Sequence, residues 1–402
     1  MASVKILLEK GREYKKGGYP LVVQVLHKRC KRVIYLGYGI KENLFDYAKE
    51  QVIYSPEGVF TVKEVRNINS KAKEIKNEIL QKITYLEQKH ESYTLKDIFY
   101  QFQTGQKMKY LYAFFEYEIN KLNEYGKIGT AKSYQWTLNS IKKHLGDKDI
   151  LFANITAGVI RDYRDKLKGG KISENTVNFY LHNLHAVYNK ALGKGIKCSP
   201  SNPFQFLHIK PQKTVKRALT GREIKQISEL DLKNDPKRDI ARDIFMFSFY
   251  TRGMSFIDII LLKHTDIQNG TITYRRSKTG QLLQVKVTSQ INEIIKKYIS
   301  DSIYVFGLVE GKEADEIYKS YKNAYTRINR NLKKIAERLS LGITLTTYVA
   351  KHSWATIAKL KGISIATISE GLGHTSGATT AIYLKELDQS IINEANDLVC
   401  VM

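Results

Sequence analysis

Cysteine is nearly missing from this 402-residue chain, and Cys30, Cys198 and Cys400 are far apart and in no CxxC spacing. That excludes a disulfide framework and a cysteine zinc site, and it suits a reducing cytoplasm. Long apolar runs are missing too. No stretch approaches membrane-spanning length and the first residues carry no apolar signal core, so a soluble, cytoplasmic protein without membrane attachment is expected. Proline is scarce, and three of the six fall within Ser199–Arg217. Internal repeats and low-complexity tracts are absent. Acidic residues are in deficit: 40 Asp and Glu stand against 65 Lys and Arg, for a net charge of +25. A field that strong favours a polyanionic partner, nucleic acid first, because each phosphate neutralised releases counterions. A cationic surface kept for solubility is the plainer alternative.

What is present suffices for two or three domains. Residues 1–62 read as strands at Val4–Leu8, Leu21–Leu26 and Val33–Tyr38, broken by Gly17–Gly18 and a basic turn, His27–Arg32. Lys63–Lys89 carries Val65, Ile68, Ala72, Ile75, Ile79, Ile83 and Leu86 at helical spacing. Residues 1–92 therefore form a small sheet with one helix. Residues 106–198 read as a helical domain, with Thr130, Thr156 and Ser173 as caps and Gly146, Gly169–Gly170 and Gly193 as stops. Ser199–Arg217 is a proline-rich basic linker. Residues 218–402 read as mainly helical. Thr220 caps a first helix there, and Asp239–Tyr250 and Asp315–Leu339 are further helices. One hairpin, Thr271–Arg275 with Leu282–Val287, surrounds Ser277-Lys278-Thr279-Gly280. The fold class is multi-domain, mainly α with small β elements.

The stretch Gly371–Leu384, GLGHTSGATTAIYL, places His374 at a glycine turn and Tyr383 nine positions later. Such a pair can bring an imidazole and a phenol onto one phosphate; taken alone it reads better as a buried histidine and a core tyrosine. Three upstream stretches fit the same reading: FYTRGMSFIDIILL, YRRSKTGQ and TTYVAKHSWATIAK. In order and spacing the four boxes resemble the tyrosine recombinases, or phage integrases. The wording RGMSF and YVA-(basic)-HSWAT is most similar to integrases of Bacteroides conjugative transposons. The resemblance covers about the last 180 residues well. Residues 1–92 and 106–198 are similar in character to the family's arm-binding and core-binding domains.

The resemblance implies a site-specific recombinase that integrates and excises a mobile element through a 3′-phosphotyrosyl intermediate, without metal or other cofactor. It implies Tyr383 as nucleophile, His374 as a donor to a non-bridging oxygen and Lys278 as general acid for the leaving 5′-oxygen. Asp258 matches an acidic residue that braces the fold, and His352 one that orients its neighbours. Three positions depart from the family pattern. Ser255 stands at the first arginine, as it does in the conjugative-transposon group. Arg276, or more weakly Arg252 or Arg275, could supply that guanidinium. Tyr348 replaces a histidine. Lys351 stands where even the serine-bearing group has arginine, keeping the charge but losing the bidentate fork. Slow cleavage is expected.

Expected partners are double-stranded DNA at core and arm-type sites, three further copies in a tetramer, a host DNA-bending factor and a directionality factor. The expected setting is a bacterial nucleoid. A tail helix at Ser390–Val401 would dock on a neighbouring subunit. The alternatives are an invertase or resolvase of the same family, or a catalytically weakened DNA-binding architectural protein. A metal-dependent transposase is disfavoured for want of a spaced carboxylate trio. A serine recombinase is disfavoured because the first strand offers only Ser3.

Overall fold

The computed structural model describes residues 2–11, 13–14, 18–89, 92–170, 172–207, 212, 217–374 and 380. The chain divides into two compact units, Met1–Lys121 with Ala131–Lys210, and Leu122–Thr130 with Pro211–Met402.

The first unit opens with an antiparallel sheet of β1 (Ser3–Leu8), β2 (Tyr19–His27) and β3 (Cys30–Ile40), in that order. The register Val4↔Val25, Ile6↔Val23 and Leu8↔Leu21 puts six buried aliphatic side chains on one face. A two-residue ladder, β4 (Phe45–Asp46) with β5 (Gln51–Val52), follows. Helix α1 (Val62–Lys89) then buries Val65, Ile68, Ala72, Ile79, Ile83 and Leu86 in the core that the sheet also lines. A second helix, α2 (Leu95–Lys107), adds Ile98, Phe99 and Phe102 to it. Residues 93–105 carried no expectation, although Thr94-x-x-Asp97 signals the helix start: the two side chains form a reciprocal capping box.

The basic turn expected over His27–Arg32 is narrower. His27 pairs with Cys30, so only Lys28 and Arg29 form the turn, with φ of 51° and 62°. A type I′ hairpin loop, which follows the strand twist, needs both central residues left-handed. His27 is buried, stacked on Tyr93 at 4.4 Å, and Arg32 lies over the Phe99 ring at 4.5 Å. Lys28, Arg29, Lys31 and Arg32 are exposed, with Lys31 paired to Glu9 at 3.1 Å, so Lys28 and Arg29 are the basic residues at the tip itself.

Helices α3 (Leu111–Glu124), α4 (Ile128–Leu145), α5 (Ala157–Gly169) and α6 (Glu174–Gly193) complete this part of the chain. Thr156 and Ser173 cap α5 and α6 by accepting from the amides of Val159 and Thr176. Thr130 does not cap α4. The helix begins at Ile128, because Gly126 at φ 67° turns the chain two residues before it and leaves Thr130 inside the first turn. Gly146, at φ 93°, ends α4.

The second unit is built around α8 (Pro236–Tyr250), which follows α7 (Gly221–Ser228). Thr220 and Glu223 box the start of α7. Asp235 caps α8 with Pro236 in its first turn, three residues before the expected start at Asp239. Then come α9 (Phe256–Ile260), β6 (Ile267–Gln268), β7 (Thr271–Arg275), β8 (Leu282–Lys286), α10 (Ser289–Lys297), α11 (Ala314–Arg338), α12 (Thr347–Leu360) and α13 (Ile365–Gly371). Strand β6 pairs with β7, so the expected hairpin is the larger part of a three-stranded sheet.

Ala241, Ile244, Phe245, Met246 and Phe247 of α8 are all buried, and α11 and α12 pack against it. An apolar helix can be this fully buried only when neighbours cover every side. Asp243 on α8 accepts from Arg242 Nε at 2.8 Å, Lys297 Nζ at 2.7 Å and the Tyr298 hydroxyl at 2.7 Å, which ties α10 to α8. Among the described residues, no helix is long and apolar enough to cross a membrane. The expected tail helix at Ser390–Val401 lies outside the described residues.

Candidate active site

The site begins where α8 ends. Ser248 Oγ donates to the Met254 carbonyl at 2.8 Å, and the Gly253 amide donates to the Ser248 carbonyl at 2.7 Å. The tight turn so formed holds Arg252 and Gly253 at φ of 60° and 77°. Gly253 is required twice over. A Cβ there would meet Lys351 Cγ at 2.6 Å, Cβ at 2.8 Å and Cα at 2.9 Å. Helix α12 therefore crosses directly over the turn and sets Lys351 down in it.

Asp258 joins this turn to the hairpin. Its Oδ2 accepts from Ser255 Oγ at 2.6 Å and its Oδ1 from the Ser277 amide at 2.8 Å, and the carboxylate is buried. Lys278 is the next residue, exposed on the turn between β7 and β8. That turn is closed by Gly280 N to Arg276 O at 2.8 Å and Arg276 N to Gln281 O at 2.9 Å. With alanine at 258, the Ser277 amide loses its partner and the lysine loop loosens. We expect Asp258→Ala to slow the chemistry attributed below to this site by roughly tenfold or more, and Asp258→Asn to retain more, read as single-turnover rates at saturating DNA.

The fourth wall is the end of α13. Arg276 Nη1 donates to the Gly373 carbonyl at 2.5 Å, so the guanidinium is anchored one residue from His374. Gly373 has φ 63°, and a Cβ there would lie 2.8 Å from Leu283 Cδ1 on β8. The His374 amide donates to the Ser369 carbonyl at 2.9 Å, and its Nδ1 sits 2.9 Å from Thr380 Oγ1. A Thr380 hydroxyl donating to Nδ1 leaves the proton on Nε2.

Electrostatics single out two of these groups. Burial, then the charges of Arg276 and Lys278, pull Lys351 down to about 8, with Asp258 opposing. Burial, then Lys351, Arg276 and Lys278, pull His374 down to about 4. Cations gathered around one buried carboxylate repel one another, and an anion among them relieves that repulsion. A phosphodiester has the charge and the acceptor oxygens to do so.

Arg276, Lys278, Lys351 and His374 thus lie within electrostatic reach of one another. Arg252 is directed elsewhere, its Nη2 donating to the Gln284 carbonyl on β8. Arg275 is exposed and bonds the Gly280 carbonyl at 3.2 Å. Ser255 is held by Asp258. Tyr348 is 52% exposed on the first turn of α12, with its ring edge-on to the buried His352 at 4.9 Å. Tyr383 lies outside the described residues. Thr380 and Gly253 carried no sequence expectation. Gly253 sits inside the RGMSF wording, but its partner is nearly a hundred residues away (253 to 351). Among the described residues, no group of three His, Cys, Asp or Glu is placed to hold a metal.

Residues 110–210 match the Phage integrase SAM-like domain and residues 217–390 the Phage integrase family. Tyrosine recombinase XerA of Pyrococcus furiosus is 31% identical over 179 residues, 43% of this chain and 58% of that protein. XerA of Saccharolobus solfataricus is 29% identical over 135 residues, 34% of this chain and 42% of that one. The chain thus spans about half the length of these two curated relatives. A tyrosine recombinase of Thermosipho africanus is 24% identical over 270 residues, 65% of this chain and 89% of its own length. In fold, the chain is similar to the Tn1549 transposon integrase in complex with a circular intermediate DNA. The TM-score is 0.52 at 15% identity, covering 71% of this chain and 99% of that one. With its multi-domain, mainly helical architecture and small sheets, the chain belongs to the tyrosine recombinase, or phage integrase, family.

Proposed function

We propose that this protein is a site-specific DNA recombinase that cuts and rejoins duplex DNA to move a mobile element in and out of its target. The convergence of Lys351, Arg276, Lys278 and His374 around Asp258 carries the reading, because such a pocket is suited to one phosphodiester. In this reading the Tyr383 oxygen attacks phosphorus and the bond to the 5′-oxygen breaks. A 3′-phosphotyrosyl ester remains, and Lys278 gives a proton to the leaving oxygen. The reverse step, by a 5′-hydroxyl of another strand, reseals the backbone. The ester conserves the bond energy, so no other source is needed.

Lys351, Arg276 and the Nε2–H of His374 face the charge that grows on the non-bridging oxygens. A bound phosphodiester raises the proton affinity of both depressed groups, so binding the substrate also charges the site. Residues 1–92 would hold arm-type DNA, and residues 106–198 and 218–402 would each contact the core site. The Tn1549 integrase, itself a transposon protein, supports the mobile-element role. Action as a tetramer with bending and directionality factors belongs to the same proposal.

A nicked suicide substrate tests it, because loss of the small fragment traps the ester. The parent is expected to become covalently joined to the DNA, in chelator as well. Tyr383→Phe should bind the same duplex with no adduct. A parent that binds but never forms the adduct would leave the architectural, non-cleaving reading, which the occupation of Ser255 by Asp258 and the lowered charge on Lys351 favour.

A further inference from the structure

Helix α12 carries Tyr348, Lys351 and His352, yet its own N-cap residue, Thr346, makes no side-chain capping bond. The first amide of the helix is satisfied from another element. Thr347 N donates to Asn329 Oδ1 on α11 at 2.9 Å. The opposite end of that amide is used as well, since Asn329 Nδ2 donates to the Tyr325 carbonyl of its own helix at 2.9 Å. With both ends engaged, the side chain cannot turn over without setting its NH2 group against the Thr347 N–H. Thr347 is buried and lies four residues before Lys351, so the two share one stripe of the helix. A further anchor on α12 is Ser353, whose Oγ accepts from Leu219 N at 2.9 Å and donates to the Val349 carbonyl at 2.9 Å. The two anchors bracket Lys351.

We infer that Asn329 is a positioning residue for strand cleavage, holding the first turn of α12 in the register that sets Lys351 beside Arg276 and His374. This rests on the recombinase reading above. Asn329 replaces a missing local cap with one supplied by the neighbouring helix. The same helix bears Arg327, Arg330, Lys333, Lys334 and Arg338 on its exposed side, none of them in an ion pair among the described residues. The cap therefore comes from an element whose outer face suits a phosphate backbone. Asparagine is suited to the task, because it accepts from a helix N-terminus while donating to its own backbone.

Two variants separate positioning from plain stability. Asn329→Leu keeps the branched outline and the number of heavy atoms and removes the acceptor. Asn329→Asp keeps an acceptor, with a charge that a helix N-terminus tolerates. On the nicked substrate at saturating DNA, Asn329→Leu should cleave about tenfold or more slowly than the parent. Its affinity for the duplex should stay within about twofold, because the phosphate-facing cations are untouched. Asn329→Asp should recover most of the rate.

A second readout needs no cleavage. Acetylation of Lys351 by acetic anhydride at graded pH should show a midpoint near 8 in the parent and in Asn329→Asp. In Asn329→Leu the midpoint should move toward the ordinary lysine value as the turn loosens. Parent-like cleavage and labelling by Asn329→Leu would overturn the inference, as would equal slowing by both variants. A parent that forms no adduct, with the labelling difference intact, would sink the recombinase reading and leave the positioning role standing.

Discussion

Replacing Lys351 with methionine is expected to stabilise the second unit and, in the recombinase reading, to abolish strand cleavage as well. Lys351 is 7% exposed, and its ammonium is held near 8 by burial and by the charges of Arg276 and Lys278. A fall from the ordinary 10.5 corresponds to on the order of 3 kcal/mol against folding while the lysine is charged. Methionine has a similar length and no charge, so relief of roughly 1–3 kcal/mol is expected in denaturant unfolding at pH 7.

The pH dependence fixes the sign. The folded pKa lies below the unfolded one, so the penalty is fully present below about 8 and is relieved as pH rises from there to 10.5. Parent stability should therefore climb across that window, and that increment should vanish in Lys351→Met. Catalysis runs the other way. In the recombinase reading proposed above, the cation that opposes folding is the one the phosphate needs, so kcat/KM should fall as pH rises through about 8, the free protein's value. Lys351→Arg keeps its charge throughout, so this alkaline limb should disappear. Restoring the bidentate fork should speed cleavage at pH 8 by roughly tenfold, about 1.4 kcal/mol of barrier. An unchanged rate and an unchanged profile would mean that Lys351 does not face the phosphate.

Gly253→Ala should be the most damaging one-carbon change in the second unit. The added carbon would sit 2.9 Å from the Lys351 Cα, where no rotamer change can relieve it, and φ 77° is strained for any residue with a Cβ. Left-handed strain of about 1–2 kcal/mol and overpacking of about 1–3 kcal/mol both fall on the same turn. The helix must lift or the turn must open, and either response moves Lys351 away from Arg276 and His374. A shift of about 1 Å at such a site lowers the rate on the order of a hundredfold. Single-turnover cleavage checks this, with duplex affinity as the control that the remainder of the protein is intact. Cleavage within about twofold of the parent would show that the turn tolerates the carbon and that the contact does not set the site.

Much of this was legible along the chain. The apolar, β-branched runs of β1–β3 and the spacing in α1 and α11 announce themselves, because each depends on neighbours within a few residues. The caps at Thr156, Ser173 and Thr220 are local hydrogen bonds and were found. Thr130 misled because a capping residue type says nothing about where the preceding glycine turns the chain. His27 misled because a basic-looking turn becomes partly core once Tyr93 stacks on it, and that stacking spans more than sixty residues (27 to 93).

The site divides in the same way. The residue types and their order, from RGMSF to the tyrosine at 383, are properties of the linear chain, and they suffice to point to phosphoryl chemistry and to the family. Which guanidinium stands beside His374 is not written there; it depends on Arg276 reaching the Gly373 carbonyl across 97 positions. Nor does the sequence announce that Lys351 is buried among cations, that Asp258 clasps the lysine loop, or that a neighbouring helix caps α12. A side chain's identity is a local fact, but its charge state, its partner and its aim are set by what the folded backbone brings within a few ångströms of it.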